Sequence, residues 1–165
     1  MRYAGGDWLL FVDADSFPRR ELFAEVAEAI EAGRCLAGGS TVAFERRDLV
    51  VRFWVALWNA MSRIMKWGAG SFLFCEAAAF RAAGGFNEQL HASEEIDLCH
   101  RLKRLARRKR RSIVILHRHP LRTSDRKVRL YSWREHLAFL VKTLFTGGRT
   151  LRSREACRVW YDGRR

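Results

Sequence analysis

At 165 residues and 48% hydrophobic, the chain has material for one domain with a substantial core and little room for a second. Its aromatic content of 12% and only two prolines exclude wholesale disorder. A formal net charge of +13 favours polyanionic partners, whether nucleic acid, an anionic membrane surface or a phosphate-bearing substrate, without choosing among them.

In chain order the elements alternate between strand and helix. The apolar run Trp8–Val12 reads as a strand buried on both faces. The stretch SFPRRELFAEVAEAIEAG reads as a helix, with Ser16 as cap, Pro18 in the first turn, and Leu22, Val26, Ala29 and Ile30 as its apolar stripe; Gly33 stops it. A strand is predicted over 35–44, its glycines implying close backbone approach.

An aromatic helix over 48–66 follows. Arg52 and Arg63 interrupt its apolar surface, so it falls short of a membrane span and suits packing on a core or lying on a membrane. Next come a strand over 71–75, a short alanine-rich helix, and a Gly84-Gly85 stop. Ser93 caps a further helix whose first turn is acidic, which suits the positive end of a helix dipole. A last strand over 112–117, a loop HPLRTSDRK and two helices near 131–145 and 150–161 complete a single α/β domain. Cys35, Cys75, Cys99 and Cys157 form no CxxC pair, the usage expected of reduced thiols in a cytoplasmic protein.

The concentrated charges are the first sign of chemistry. The strand DWLLFV runs straight into Asp13 and Asp15, one residue apart, and strand-to-loop junctions at the carboxyl ends of an open α/β sheet are where ligands sit. Two such carboxylates resist joint burial. A divalent cation offsets their repulsion, and oxygen donors suit Mg2+ or Mn2+, with phosphates and water completing the shell. A helix cap with a solvated neighbour explains the triplet equally well. A second acidic group, Glu94, Glu95 and Asp97, reads on its own as a complement to the helix dipole.

Taken together, three stretches carry a family resemblance. The strand ending in DADSFP, the block GAGSFLFCEAAAFRAAGGFNE and the stretch SEEIDLCHRLKR occur in the order found in glycosyltransferase family 2, whose catalytic domain has the GT-A type fold. From Trp8 to about Arg104 the chain resembles that domain, with Glu95 where the family's Glu-Asp-x-Asp-Leu motif has aspartate.

The resemblance implies metal-dependent transfer of a sugar from a UDP- or GDP-sugar donor to an acceptor hydroxyl, usually with inversion. It implies that Asp13 lies near the donor's ribose or sugar and Asp15 binds the metal bridging the two phosphates. Glu95 would take the acceptor's proton, Glu94 and Asp97 would shape the pocket, and the 68–71 loop, with Gly70 and Ser71, would line the acceptor side. His117 and His119 are candidates for a further metal or phosphate contact. Arg122 and Arg126, in the following loop, are candidates for clamping the diphosphate, and that loop for a lid.

The resemblance also implies that residues 1–119 are a partial catalytic domain followed by a basic loop and helices over 120–165. The family's earlier, nucleotide-binding strands have no counterpart before Asp7, so the expected isolated chain binds nucleotide poorly and exposes a sheet edge and apolar faces.

The run RLKRLARRKRRS holds eight Lys or Arg within 101–111. A solvated helix end explains it, and so does peripheral attachment to the inner, anionic face of a membrane, in keeping with a lipid-linked or envelope acceptor. A nucleic-acid-binding module without catalysis is the rival from another class, but no helix-turn-helix, zinc-finger or RNA-binding aromatic signature accompanies the charge.

Overall fold

The structure, a computed structural model, describes residues 5–44, 48–68, 71–90 and 94–123. Over them the chain forms a mixed α/β fold in the order β1 (Trp8–Val12), β2 (Ser16–Phe17), α1 (Arg20–Glu31), β3 (Cys35–Ala43), α2 (Leu49–Met65), β4 (Phe72–Glu76), α3 (Ala77–Ala82), α4 (Glu94–Arg108) and β5 (Ser112–Thr123). The cap expected of Ser93 and the two helices expected after residue 130 lie outside the described residues.

The strands make one sheet in the order β1-β4-β3-β5-β2. β4 runs antiparallel to both neighbours, pairing Phe74 with Leu10 on one side and with Gly38 on the other. β3 and β5 are parallel. Strands β1, β3 and β5 therefore share a direction, and their carboxyl ends lie with the amino end of β4 at one end of the sheet. Helix α1 returns from that end to the start of β3, and α4 returns from it to the start of β5, so both helices begin there as well. At the opposite end Arg111 donates to the Glu76 carboxylate and the Cys35 carbonyl, fastening β4, β3 and the turn into β5.

Pleat alternation divides the core. On one face Leu9, Leu73, Cys75 and Ile113 pack with Phe80 of α3 and Leu98, Cys99 and Leu102 of α4. On the other, Phe72, Phe74 and Leu121 pack with Leu22 and Val26 of α1. Leu22 and Val26 of the predicted stripe are thus buried, with Ala29 and Ile30 packed at its margin.

Three sequence expectations change. β1 is not buried on both faces: among the described residues it is an edge strand, and Leu10 and Val12 stay 40% and 39% exposed. They share a face with Phe74 and Phe72, their cross-strand partners, but α1 packs over the β5 side of the sheet. Ser16 does not cap α1. Its hydroxyl donates to Thr123 Oγ1 at 3.1 Å and its backbone forms β2, so α1 begins at Arg20 with no side-chain cap.

The last strand also continues beyond His117 to Thr123. One residue of β3, Thr41, separates Ser40 from Val42, whereas four residues of β5, 117–120, separate their partners Leu116 and Leu121. This irregularity turns the strand out and then back into register, where β2 can add to it.

Close backbone approach governs the middle of β3. A Cβ on Gly39 would lie 2.8 Å from the Gly68 Cα and 3.1 Å from the Phe72 carbonyl oxygen. Both obstacles are main chain and cannot swing aside. Gly39→Ala is expected to destabilise the fold by about 1–3 kcal/mol, read by denaturant unfolding, while Gly5→Ala, with nothing within 4 Å of its new methyl, should leave the midpoint unchanged.

Candidate active site

The acidic turn grows directly out of the β1–β4 ladder. Asp13 N–H donates to the Ser71 carbonyl at 3.2 Å, one step past the last paired residue of β1. The Asp13 carbonyl then accepts from Ser16 N–H at 3.1 Å, closing a turn through Ala14 and Asp15. Continuing the strand's alternation puts Asp13 on the Phe11 side of the sheet, the side of α3 and α4. Asp13 and Asp15 are both exposed.

Ser71 opens β4 from a segment held in several ways. Helix α2 ends with Lys66 in the left-handed region, φ 52 and ψ 48. Trp67 N–H then donates to the Ser62 carbonyl at 3.0 Å, and the Ser62 hydroxyl donates to the Trp67 carbonyl. The Trp67 ring meets the His100 ring edge-on at 5.7 Å, with the Lys103 ammonium 5.8 Å from the indole centroid. Gly68 N–H donates to the Cys99 sulfur at 3.4 Å. Gly70 and Arg126 lie outside the described residues.

The α4 side chains continue the line. Burial pushes the Cys99 thiol pKa up; the Gly68 N–H opposes that rise, and the negative charge of Glu95, one turn earlier, adds to it. Glu95 thus stands one turn of α4 before the sulfur that receives the Gly68 N–H. Glu94 and Glu95 are partly buried in the first turn of α4.

Asp97 pairs with Arg101, Oδ2 lying 2.9 Å from Nε and 2.7 Å from Nη2. Arg101 also donates to the carbonyls of Ala83 and, at 2.7 Å, Gly85. It therefore binds the turn that ends α3, where Gly84 and Gly85 adopt φ of +82 and +70 and fulfil the predicted stop. Asp97 thus orients a positioning arginine.

On the β5 side, Arg122 is not in a loop. It lies in strand, opposite Phe17 of β2 and Ala43 of β3, with its side chain exposed. His117 is exposed in the outward-turned segment. His119 Nδ1 lies 2.6 Å from Oε1 of Glu25, a carboxylate on α1 that is itself buried, and Arg118 bridges Glu25 and Glu28. His119 thereby fastens β5 to α1.

The end of the sheet therefore gathers the Asp13–Asp15 turn, Ser71, the acidic first turn of α4 and the carboxyl end of β5 with Arg122. Among the described residues no three His, Cys, Asp or Glu side chains group closely enough to hold a metal by themselves. Asp13 and Asp15 remain an adjacent, exposed carboxylate pair, and oxygen donors of that kind suit a hard cation that takes most of its ligands from phosphate and water. No protein-family model matches the chain, and no curated protein matches it.

In the sequence Cys99 read only as a reduced thiol and Arg101 only as part of a basic run, while Ser62 and Glu25 carried no signal of their structural contacts. Arg101 stood in a basic run and Glu25 on an amphipathic helix, so neither differed from its solvated neighbours. The i,i+4 spacing of Asp97 and Arg101 was the one local signal available.

Two outcomes test these supports. Arg101→Met should destabilise the protein by roughly 1–3 kcal/mol and speed amide exchange in the Gly85 turn, because it strands two carbonyls and a carboxylate. Burial raises the Cys75 thiol to about 12 from its ordinary 9.0. Only the unfolded chain then loses this proton between those values, so this thiol lowers stability as pH rises from 9 towards 12. Denaturant titrations across that range should show a shallower fall for Cys75→Ala.

Proposed function

We propose that this end of the sheet transfers a glycosyl group from a nucleotide-sugar to an acceptor hydroxyl. The reading is supported by one arrangement above all: Asp13 and Asp15, far in sequence from Glu94 and Glu95, emerge at the same end of the sheet, linked through Ser71, Gly68 and Cys99.

In this reading Asp15, with Asp13 beside it, holds Mg2+ or Mn2+, which would neutralise the charge developing on the leaving nucleoside diphosphate. Asp13 faces the sugar or ribose of the donor. Arg122, an exposed guanidinium on β5, contributes further positive charge to the diphosphate. The acceptor lies against Ser71 and the 68–71 segment. Its hydroxyl oxygen bonds to the anomeric carbon as the bond to the diphosphate oxygen breaks, and Glu95 receives the hydroxyl proton. Attack from the face opposite the leaving group inverts the anomeric centre. Glutamate reaches further than aspartate from a helix first turn, and Glu94 and the Arg101-paired Asp97 shape the pocket around it.

The test is release of nucleoside diphosphate from UDP- and GDP-sugars in the presence of Mn2+, with the nucleotide-binding strands that the family resemblance calls for supplied ahead of this chain. Glu95→Gln should lower kcat by about 10²–10⁴-fold with little change in nucleotide affinity. Asp15→Ala should remove both the activity and its dependence on added metal. Full release by the Asp15→Ala protein would refute the metal assignment, and an unaltered kcat in Glu95→Gln would refute the base.

A further inference from the structure

Helix α2 turns Val51, Val55, Trp58, Asn59 and Ser62 inward, and its two polar residues there are anchored. Asn59 exchanges two hydrogen bonds with the main chain of Val42, at 3.0 and 2.9 Å, and Ser62, fully buried, is held by Trp67. Leu49, Val50, Phe53, Trp54, Leu57 and Ile64 point the other way, Phe53 and Ile64 being 64% and 78% exposed. At about 100° per residue these six fall within an arc of roughly 140°, forming one continuous apolar band. Nothing among the described residues covers it.

Basic residues border the band on one flank and at the carboxyl end of the helix. The only charged residues within α2 are Arg52 and Arg63, which share one flank of the band, and Lys66 follows at the helix end. Lys103 donates to the Met65 carbonyl, bringing the basic carboxyl half of α4, with Arg104, Arg107 and Arg108, towards that same end. Asp48, the nearest acid described, is engaged in capping, accepting from the N–H groups of Val50 and Val51.

We propose that α2 lies flat in the headgroup region of an anionic membrane, its apolar band in the acyl boundary and its cations on lipid phosphates. At 17 residues it is about 25 Å long, and no helix among the described residues is long and apolar enough to cross a bilayer. An apolar band bordered by Lys and Arg is the pattern of an interfacial helix. Charge separates lipid from the other occupants. A second copy would bring another +13, and residues 124–165 carry eleven Lys and Arg against four Asp and Glu, so each adds like charge where anionic lipid adds opposite charge. The inference does not depend on the glycosyl-transfer reading, since its test measures binding alone.

The experiment is flotation of the full chain with phosphatidylcholine vesicles, with and without about one quarter phosphatidylglycerol. Binding should be at least tenfold stronger to the anionic vesicles. Leu57→Glu with Ile64→Glu should abolish it, and Arg52→Gln and Arg63→Gln should each weaken it about fivefold. These side chains are exposed, so circular dichroism should show each variant folded; Phe53→Ser with Ile64→Ser, which adds no charge, guards against a repulsion artefact and should also lose binding. Undiminished binding by the serine variant overturns the proposal. So does a lipid-free oligomer that the glutamate variant disperses, or lipid-free protection of α2 in a monomer, since each assigns the band to a protein occupant.

Discussion

Val12 ends a strand at one edge of the sheet and Ser16 begins a strand at the other, with only Asp13, Ala14 and Asp15 between them. Four Cα–Cα steps of about 3.8 Å reach at most about 15 Å, whereas four interstrand gaps of about 4.8 Å place the edges of a flat sheet about 19 Å apart. The sheet must therefore curl at this end. The irregularity in β5 at 117–120 and the matching step in β3 between Ser40 and Val42 are where it does so. The acidic triplet is then drawn across the amino end of β4, held there by Asp13 N–H on the Ser71 carbonyl.

The 66–68 turn is the second fixed point. It joins the outward-facing helix to the acidic end of the sheet: α2 runs into it, Gly68 sits against Gly39 and Cys99, and Ser71 leaves it to open β4. The two proposals meet at this turn. A bilayer beneath α2 would lie beside the acceptor side of the site, so an acceptor carried by lipid would arrive along the surface that already holds the protein. The buried Ser62 and the left-handed Lys66 fix the angle at which the helix departs from the site.

Much of the secondary structure was legible because its causes are local. The apolar run at β1, the Leu22 and Val26 stripe of α1, and the Gly84-Gly85 stop each depend on residues within a turn or two of one another. The acidic groups stood out for the same reason: carboxylates one or two residues apart repel, and the sequence displays that directly. What escaped were features whose partner is distant. β2 exists because Thr123 and Arg122 lie opposite Ser16 and Phe17, a separation of more than one hundred residues that no local pattern announces. Glu25 drew no notice because nothing near it in sequence foretells His119 and Arg118.

From the sequence by itself came an α/β chain rich in basic charge, its strands and helices in order, two sets of carboxylates at element boundaries, and an apolar helix too interrupted to span a bilayer. Only the tertiary structure decided that β1 is an edge among the described strands, that β4 runs against its neighbours, and that α2 leaves Phe53, Leu57 and Ile64 exposed. The reason is physical. Propensity, capping and periodicity act over a few residues, whereas strand direction, edge position and helix facing are set by which remote surfaces bury one another.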